Sequence, residues 1–260
     1  MAKSKSKKKT GSDGFFSGLL EYGSKHLLFL ASLTLFLVAT YSLSLARFET
    51  VPKEVLGASV INIPRGDYPD LPTLGGGQYP LLSAQGAIVV DLDSGVSLYE
   101  KSPNTKFLPA STVKMMTALV ALDNYPLDEV VVVRNPSVEG RKMGLKVGEE
   151  ITVQDLLRGL LIYSANDAGQ VLAQNHPGGV EGFVSEMNTK AQDLSLSNTY
   201  FSNPTGLDGN GQFTTATDLA RLSNEAMKNK NFSSVVSQTE AVVTSVDGRI
   251  KHVLENTNEL

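Results

Sequence analysis

From Leu27 to Leu45 the chain reads LLFLASLTLFLVATYSLSL without a single charge, and this run restricts its architecture more than any other feature. As a helix rising about 1.5 Å per residue it reaches about 28 Å, close to one bilayer core. A helix on the surface of a water-soluble body shows a polar face, and this run has none. Six lysines (3, 5, 7, 8, 9 and 25) precede it against only Asp13 and Glu21. Cations on that side keep it in the cytoplasm and send the rest of the chain outside. The expectation is therefore a lysine-rich cytoplasmic tail over 1–26 and a single-pass anchor over 27–46, with everything beyond exported. Ser44-Leu45-Ala46 has the small-x-small form of a cleavage site. Against cleavage, the tail is long and the apolar run exceeds the roughly 7–15 residues of a signal core. Retention is the favoured reading. Residues 47–82, with VPKEV and NIPRGDYPDLPTLGGGQYP, have proline, glycine and little periodicity, and read as an extended tether.

Residues 47–260 hold 17 basic against 25 acidic groups, a net charge of −8. An acidic body argues against nucleic acid as a partner. The chain has no cysteine, which excludes disulfides, thiolate catalysis and cysteine zinc sites. His26, His176 and His252 stand in no paired-ligand spacing and read as structural or surface residues. No metal or other cofactor is expected.

The body proper starts near Ser83. Ala87–Lys101 places an apolar run, then Asp-Leu-Asp-Ser-Gly, then an alternating run, which is the pattern of a β-hairpin. From Ser111 to Asp123, Val113, Met116, Leu119, Val120 and Leu122 recur at helical spacing behind Pro109. Met115 and Met116 are read as core filling. Thr152 and Asp155 open a helix to Ile162, the polar stretch Ser164-Ala165-Asn166-Asp167 breaks it, and a second helix follows. Val180–Leu194 makes another, and Thr215 and Asp218 cap one more to about Lys228. From Glu240 a second hairpin turns at Asp247-Gly248. Two strands, a block of helices and two strands predict an α+β fold: one antiparallel sheet with a mostly helical lobe inserted into it.

Ser111 and Lys114 carry the chemistry in this pattern. A serine hydroxyl is a poor nucleophile until a base takes its proton, and no histidine is placed to do so. Positions i and i+3 share a helix face, so the Lys114 amine reaches the Ser111 hydroxyl. A helix starting there also aims free backbone N–H groups at developing negative charge on a reacting carbonyl. The plainer alternative is that Ser111 caps the helix and Lys114 is a solvated charge. As a base Lys114 must be neutral, which from a free value near 10.4 takes a fall of about three units, or about 4–5 kcal/mol, through burial and a second nearby cation. Spacing alone does not decide. Ser4 with Lys7 and Ser6 with Lys9 match the same serine-x-x-lysine pattern, and Ser102-Pro103-Asn104 matches serine-x-asparagine as well as Ser164-Ala165-Asn166 does.

Context separates signal from decoy. PASTVK, then LLRGLLIYSANDAGQVLA, then NTYFSNPTGLDGNGQFTTATDLARL, in that order over residues 83–260, closely resemble the D-alanyl-D-alanine carboxypeptidases, the low-molecular-mass penicillin-binding proteins. The resemblance implies the serine β-lactamase/DD-peptidase-like fold. It makes Ser111 the acylated nucleophile, Lys114 its general base, Ser164 a proton relay toward the departing D-alanine, and Asn166 the group that holds Lys114 and the substrate amide. Asn166 can also cap the following helix, and Asp167 is assigned to capping or structure. Asn203, Gly206, Leu207 and Asp208 mark a family loop, although turn chemistry explains the asparagine and glycine without catalysis. The implied substrates are peptidoglycan stem peptides ending in D-Ala-D-Ala, and the implied inhibitors are β-lactams.

Two features depart from the family. Its lysine-threonine-glycine motif on a cleft-side strand does not occur after Asn166, and Lys9-Thr10-Gly11 falls in the cytoplasmic tail. The expectation is a chain cut short after the second hairpin, with the motif roughly 20–50 residues beyond Leu260 by analogy with the family's spacing. The N-terminal anchor is the second departure, since many relatives use a cleaved signal and a C-terminal amphipathic helix. The competing functions are a class A-like β-lactamase, an endopeptidase or transpeptidase using the same serine, and a non-catalytic wall-binding protein of the same fold. The β-lactamase reading is weakened because no glutamate occurs between Asn198 and Leu207, where that class places one.

Overall fold

Side-chain alternation over Ala87–Lys101 closes a hairpin in the computed structural model, which describes residues 79–208 and 211–258 together with Thr34 and Pro72. The expected tail and anchor, apart from Thr34, and the tether up to residue 78, apart from Pro72, lie outside the described residues. Among the described residues no helix is long and apolar enough to cross a membrane. The chain divides into two compact units, Met1–Gly66 and Asp67–Leu260, and residues 79–258 fall in the second.

Strand β1 (Ala87–Val90) pairs antiparallel with β2 (Ser97–Lys101), from Ala87 opposite Lys101 to a register shift between Val89 and Val90. A 3-10 turn (Ala110–Thr112) leads into α1 (Val113–Asn124), which is buried over Val113, Lys114 and every residue from Met116 to Ala121. A helix covered nearly all round belongs at the centre of a packed body. Strands β3 (Val130–Val132) and β4 (Glu150–Thr152) form a second ladder, which buries Val131 and Ile151 against the core and leaves Val130 and Val132 exposed. Helix α2 (Val153–Ile162) buries Val153, Leu156, Leu157 and Leu160, the i, i+3, i+4, i+7 stripe. Its start is set as expected: the Thr152 side chain accepts from Asp155 N. Helices α3 (Asn166–Asn175), α4 (Gly179–Asp193) and α5 (Ala216–Lys228) follow, the last capped by Thr215 accepting from Asp218 N. After one residue, Asn229, comes α6 (Lys230–Val236), whose Asn231 and Phe232 amides donate to the Asn229 side chain. Strands β5 (Glu240–Thr244) and β6 (Lys251–Glu255) close the described chain as a hairpin around Gly248.

The α+β class and both outer hairpins follow the sequence reading, with three corrections. The β3–β4 ladder went unread because each strand is three residues long and a long connection, not a tight turn, separates them. Helix α6 went unread because its seven residues hold too little periodicity to register. Among the described residues the strands pair as three two-stranded ladders, β1–β2, β3–β4 and β5–β6, not as one sheet. One apolar core runs through α1 to α6 and takes in Val131 and Ile151. A smaller cluster of Ile162, Val235, Val243 and Leu254 seats the last hairpin on the ends of α2 and α6. Each fully buried Leu or Val there contributes about 1.5–3 kcal/mol.

Candidate active site

Pro109, without an amide hydrogen, and Ala110, at φ +47°, turn the chain sharply before α1. Ser111 therefore sits in the 3-10 turn and Lys114 in the first turn of the helix proper. Lys114 Nζ lies 3.0 Å from Ser111 Oγ and donates to Thr205 O at 2.8 Å. Ser111 caps neither helix start, the N-cap positions being held by Pro109 and Thr112. Nor is Lys114 a solvated charge, since only 3% of its surface is exposed. Burial lowers its pKa from the ordinary 10.5 to about 8. That fall corresponds to about 3 kcal/mol against the charged form and leaves about a tenth of the amine neutral at pH 7. Burial alone causes this shift, which stops short of the fall that would leave the amine mostly neutral at pH 7.

The carbonyl that meets Lys114 belongs to a loop held by Asn203. Its Oδ1 accepts from Thr205 N, Thr205 Oγ1 and Gly206 N at 3.1, 3.0 and 2.8 Å, and its Nδ2 donates to Leu207 O at 2.8 Å. Thr117 Oγ1, one turn beyond Lys114, donates to the neighbouring Pro204 O at 2.7 Å. Gly206, at φ +84°, touches the serine turn: a Cβ there would stand 1.8 Å from Ala110 O. Turn chemistry does explain Asn203 and Gly206, and the turn it builds is the seat of the candidate base. Thr205 acts through its backbone carbonyl across 91 positions of chain, so no residue type or spacing announced it.

Ser164, at φ +59°, stands between α2 and α3 and lines one cavity of about 550 Å³ with Ser111 and Lys114. Its apolar wall includes Met115, Leu160 and Phe232. The structure thus brings three of the four candidate residues to one cavity. Asn166 is placed differently. Its Nδ2 donates to Glu139 O and its backbone N to Arg141 O, each at 2.7 Å, while Lys114 Nζ donates to Thr205 O and not to Asn166 Oδ1. The cause is the 139–141 backbone, which passes over the start of α3 and offers two carbonyls to one residue. Asn166 is the first residue of α3 and makes no side-chain cap. Asp167 is structural, as read: its buried carboxylate accepts from Met143, Gly144, Leu145 and Ala168 N.

The decoys fall away from this cavity. Asn104 accepts from Thr217 Oγ1 at 2.8 Å in the loop after β2, while Ser4, Ser6 and Lys9-Thr10-Gly11 lie outside the described residues. His176 pairs with Glu186 at 3.1 Å. The buried His252 bridges Glu149 Oε1 at 2.7 Å and Met143 O at 3.0 Å. Both are framework contacts. Met116 lies in the core, as read, whereas Met115 also walls the cavity.

Known proteins resemble this chain over most of its described residues. The family model described as Peptidase_S11, D-alanyl-D-alanine carboxypeptidase, matches residues 76–260. D-alanyl-D-alanine carboxypeptidase DacF of Bacillus subtilis is 36% identical over 184 residues, covering 68% of this chain and 47% of that protein. A D-alanyl-D-alanine endopeptidase of Pseudomonas aeruginosa is 40% identical over 145 residues, covering 54% of this chain and 46% of its own. The chain thus spans about half the length of these curated relatives. The crystal structure of a D-alanyl-D-alanine carboxypeptidase from Mycobacterium tuberculosis superposes with a TM-score of 0.67 at 36% identity, covering 73% of this chain and 72% of the other.

Proposed function

The chain belongs to the D-alanyl-D-alanine carboxypeptidase family, and from that premise we propose that it removes the terminal D-alanine of peptidoglycan stem peptides through an acyl-enzyme. Neutral Lys114 takes the Ser111 proton as Ser111 Oγ bonds to the scissile carbonyl carbon. The C–N bond to D-alanine then breaks, and the proton passes from Lys114 by way of Ser164 to the departing amine. Water next attacks the ester, gives a proton to Lys114 and frees Ser111 with it. Asn166 Nδ2, with one hydrogen on Glu139 O, keeps a second to offer the substrate amide. The observation that carries this reading is a buried amine 3.0 Å from a hydroxyl, with its pKa already lowered to about 8.

A fluorescent penicillin tests it. The full-length protein should label stoichiometrically and Ser111→Ala should not; no labelling of the wild type, or labelling that survives the substitution, refutes it. An endopeptidase reading of the same site has specific support in the 40% identical Pseudomonas aeruginosa relative. Only the leaving amine differs, and release of monomers from a cross-linked peptide dimer would favour that reading. The uncharged run from Leu27 to Leu45 behind its lysines supports a single-pass anchor with the body outside the cytoplasm. Protease added to spheroplasts should then digest the body and spare the tail.

A further inference from the structure

Residues 134–148 run against the charge of the acidic body: Arg134, Arg141, Lys142 and Lys146 face a single carboxylate, Glu139. The part of this loop beside the candidate site is fixed through its backbone. Glu139 O and Arg141 O each accept from Asn166 at 2.7 Å. Gly140 between them, at φ +80°, is packed so closely that a Cβ would stand 2.6 Å from Asn166 Nδ2. The Arg141 side chain takes no part in this clamp. It is exposed, its guanidinium carbon lies 5.1 Å from the centre of the Tyr163 ring, and among the described residues it forms no ion pair. Tyr163 directly precedes Ser164, a wall of the cavity that holds Ser111 and Lys114.

A guanidinium held against an aromatic ring loses little further freedom when it binds, and its planar fork of N–H donors matches a carboxylate in two-point contact. A held, unpaired cation over Tyr163, the chain neighbour of a cavity-lining serine, is therefore preorganised for an anion. On the peptidase reading Asn166 serves the substrate amide, and the backbone that holds it would then set Arg141 on the acyl side of the peptide, away from the departing D-alanine. We propose that Arg141 is a specificity-determining residue that binds an acidic side chain of the peptide substrate upstream of the scissile bond. This rests on the peptidase reading of the site.

The test uses two synthetic peptides ending in D-Ala-D-Ala that differ only in an upstream glutamate or its neutral counterpart glutamine. Their affinities are measured by calorimetry on the full-length Ser111→Ala protein, with and without Arg141→Gln, so that binding is read apart from turnover. The acidic peptide should bind about fivefold more tightly than the neutral one, as expected for an ion pair at a largely exposed site. Arg141→Gln should erase the difference, and Arg141→Lys, which keeps the charge and loses the planar fork, should retain part of it. At about 1 M salt the difference should also vanish. Equal affinity of the two peptides for the Arg141 protein overturns the proposal, as does an Arg141→Gln variant that weakens both alike. Loss of the clamp is not expected, because it uses only the backbone at Arg141, and an unchanged melting temperature checks this. Absence of penicillin labelling in the protein with Ser111 intact, alongside a retained preference for the acidic peptide, would refute the peptidase reading and leave the Arg141 site standing.

Discussion

The acylation rate should follow the charge of Lys114, and its pH dependence is set by how deeply that amine is buried. Burial penalises the ammonium, so the folded value, about 8, lies below the free one, 10.5. The neutral fraction is then about 1% at pH 6, about 9% at pH 7, about 50% at pH 8 and about 90% at pH 9. If the neutral amine is the base, the second-order rate constant for a fluorescent penicillin should rise about tenfold from pH 6 to 7, about fiftyfold from 6 to 8, and level off near 9. Stopped-flow labelling across that range measures it directly. A solvated lysine would give a rate still climbing about tenfold per unit at pH 9. A flat profile, or one with its midpoint near 10, would refute the assignment of Lys114 as a buried base. The same shift bears on stability with a definite sign. Between pH 8 and 10.5 the unfolded chain binds the proton that the folded chain has released, so this group makes the fold more stable as pH rises through that window. Below pH 8 its cost of about 3 kcal/mol is present in full.

Local signals gave the sequence reading its successes. The caps at Thr152 and Thr215, the stripe of Val153, Leu156, Leu157 and Leu160, and the turn at Asp247-Gly248 are each written within a few residues, where dihedral preference and periodicity act directly. The β3–β4 ladder is not local in this sense. Val131 pairs with Ile151 across a connection whose geometry depends on Asp167, and nothing in the valine run says which partner it will find. Sheet continuity was also beyond local pattern, because alternation fixes which face of a hairpin is buried and not which hairpin lies beside it.

The site divides along the same line. Ser111 and Lys114 are neighbours on one turn, so spacing and context exposed them together. The groups that set their environment are a carbonyl at Thr205, a close approach at Gly206 and the backbone of 139–141. Main-chain atoms carry no residue identity, and a motif cannot name them. Asn166 shows the consequence. Its family role drew it toward Lys114, whereas Lys114 Nζ donates to the Thr205 carbonyl and the loop above Asn166 takes its backbone N–H and one side-chain N–H.

Two substitutions probe those main-chain contacts. Asp167→Asn keeps the shape and removes the charge that accepts from Met143, Gly144 and Leu145 N. Its amide nitrogen would face at least one of these donors, so a loss of about 2–3 kcal/mol in urea denaturation is expected. Gly206→Ala should be harsher on function than on the fold as a whole. A left-handed φ of +84° costs an alanine about 1–2 kcal/mol. The new Cβ would also stand 1.8 Å from Ala110 O, a contact relieved only by moving the loop or the serine turn. Either movement pulls Thr205 O from Lys114 or Ser111 from its amine, so penicillin labelling should slow at least tenfold while helical circular dichroism is retained. Labelling at the wild-type rate would mean that the loop shifts without disturbing the base, and the Thr205 contact would then be incidental to catalysis.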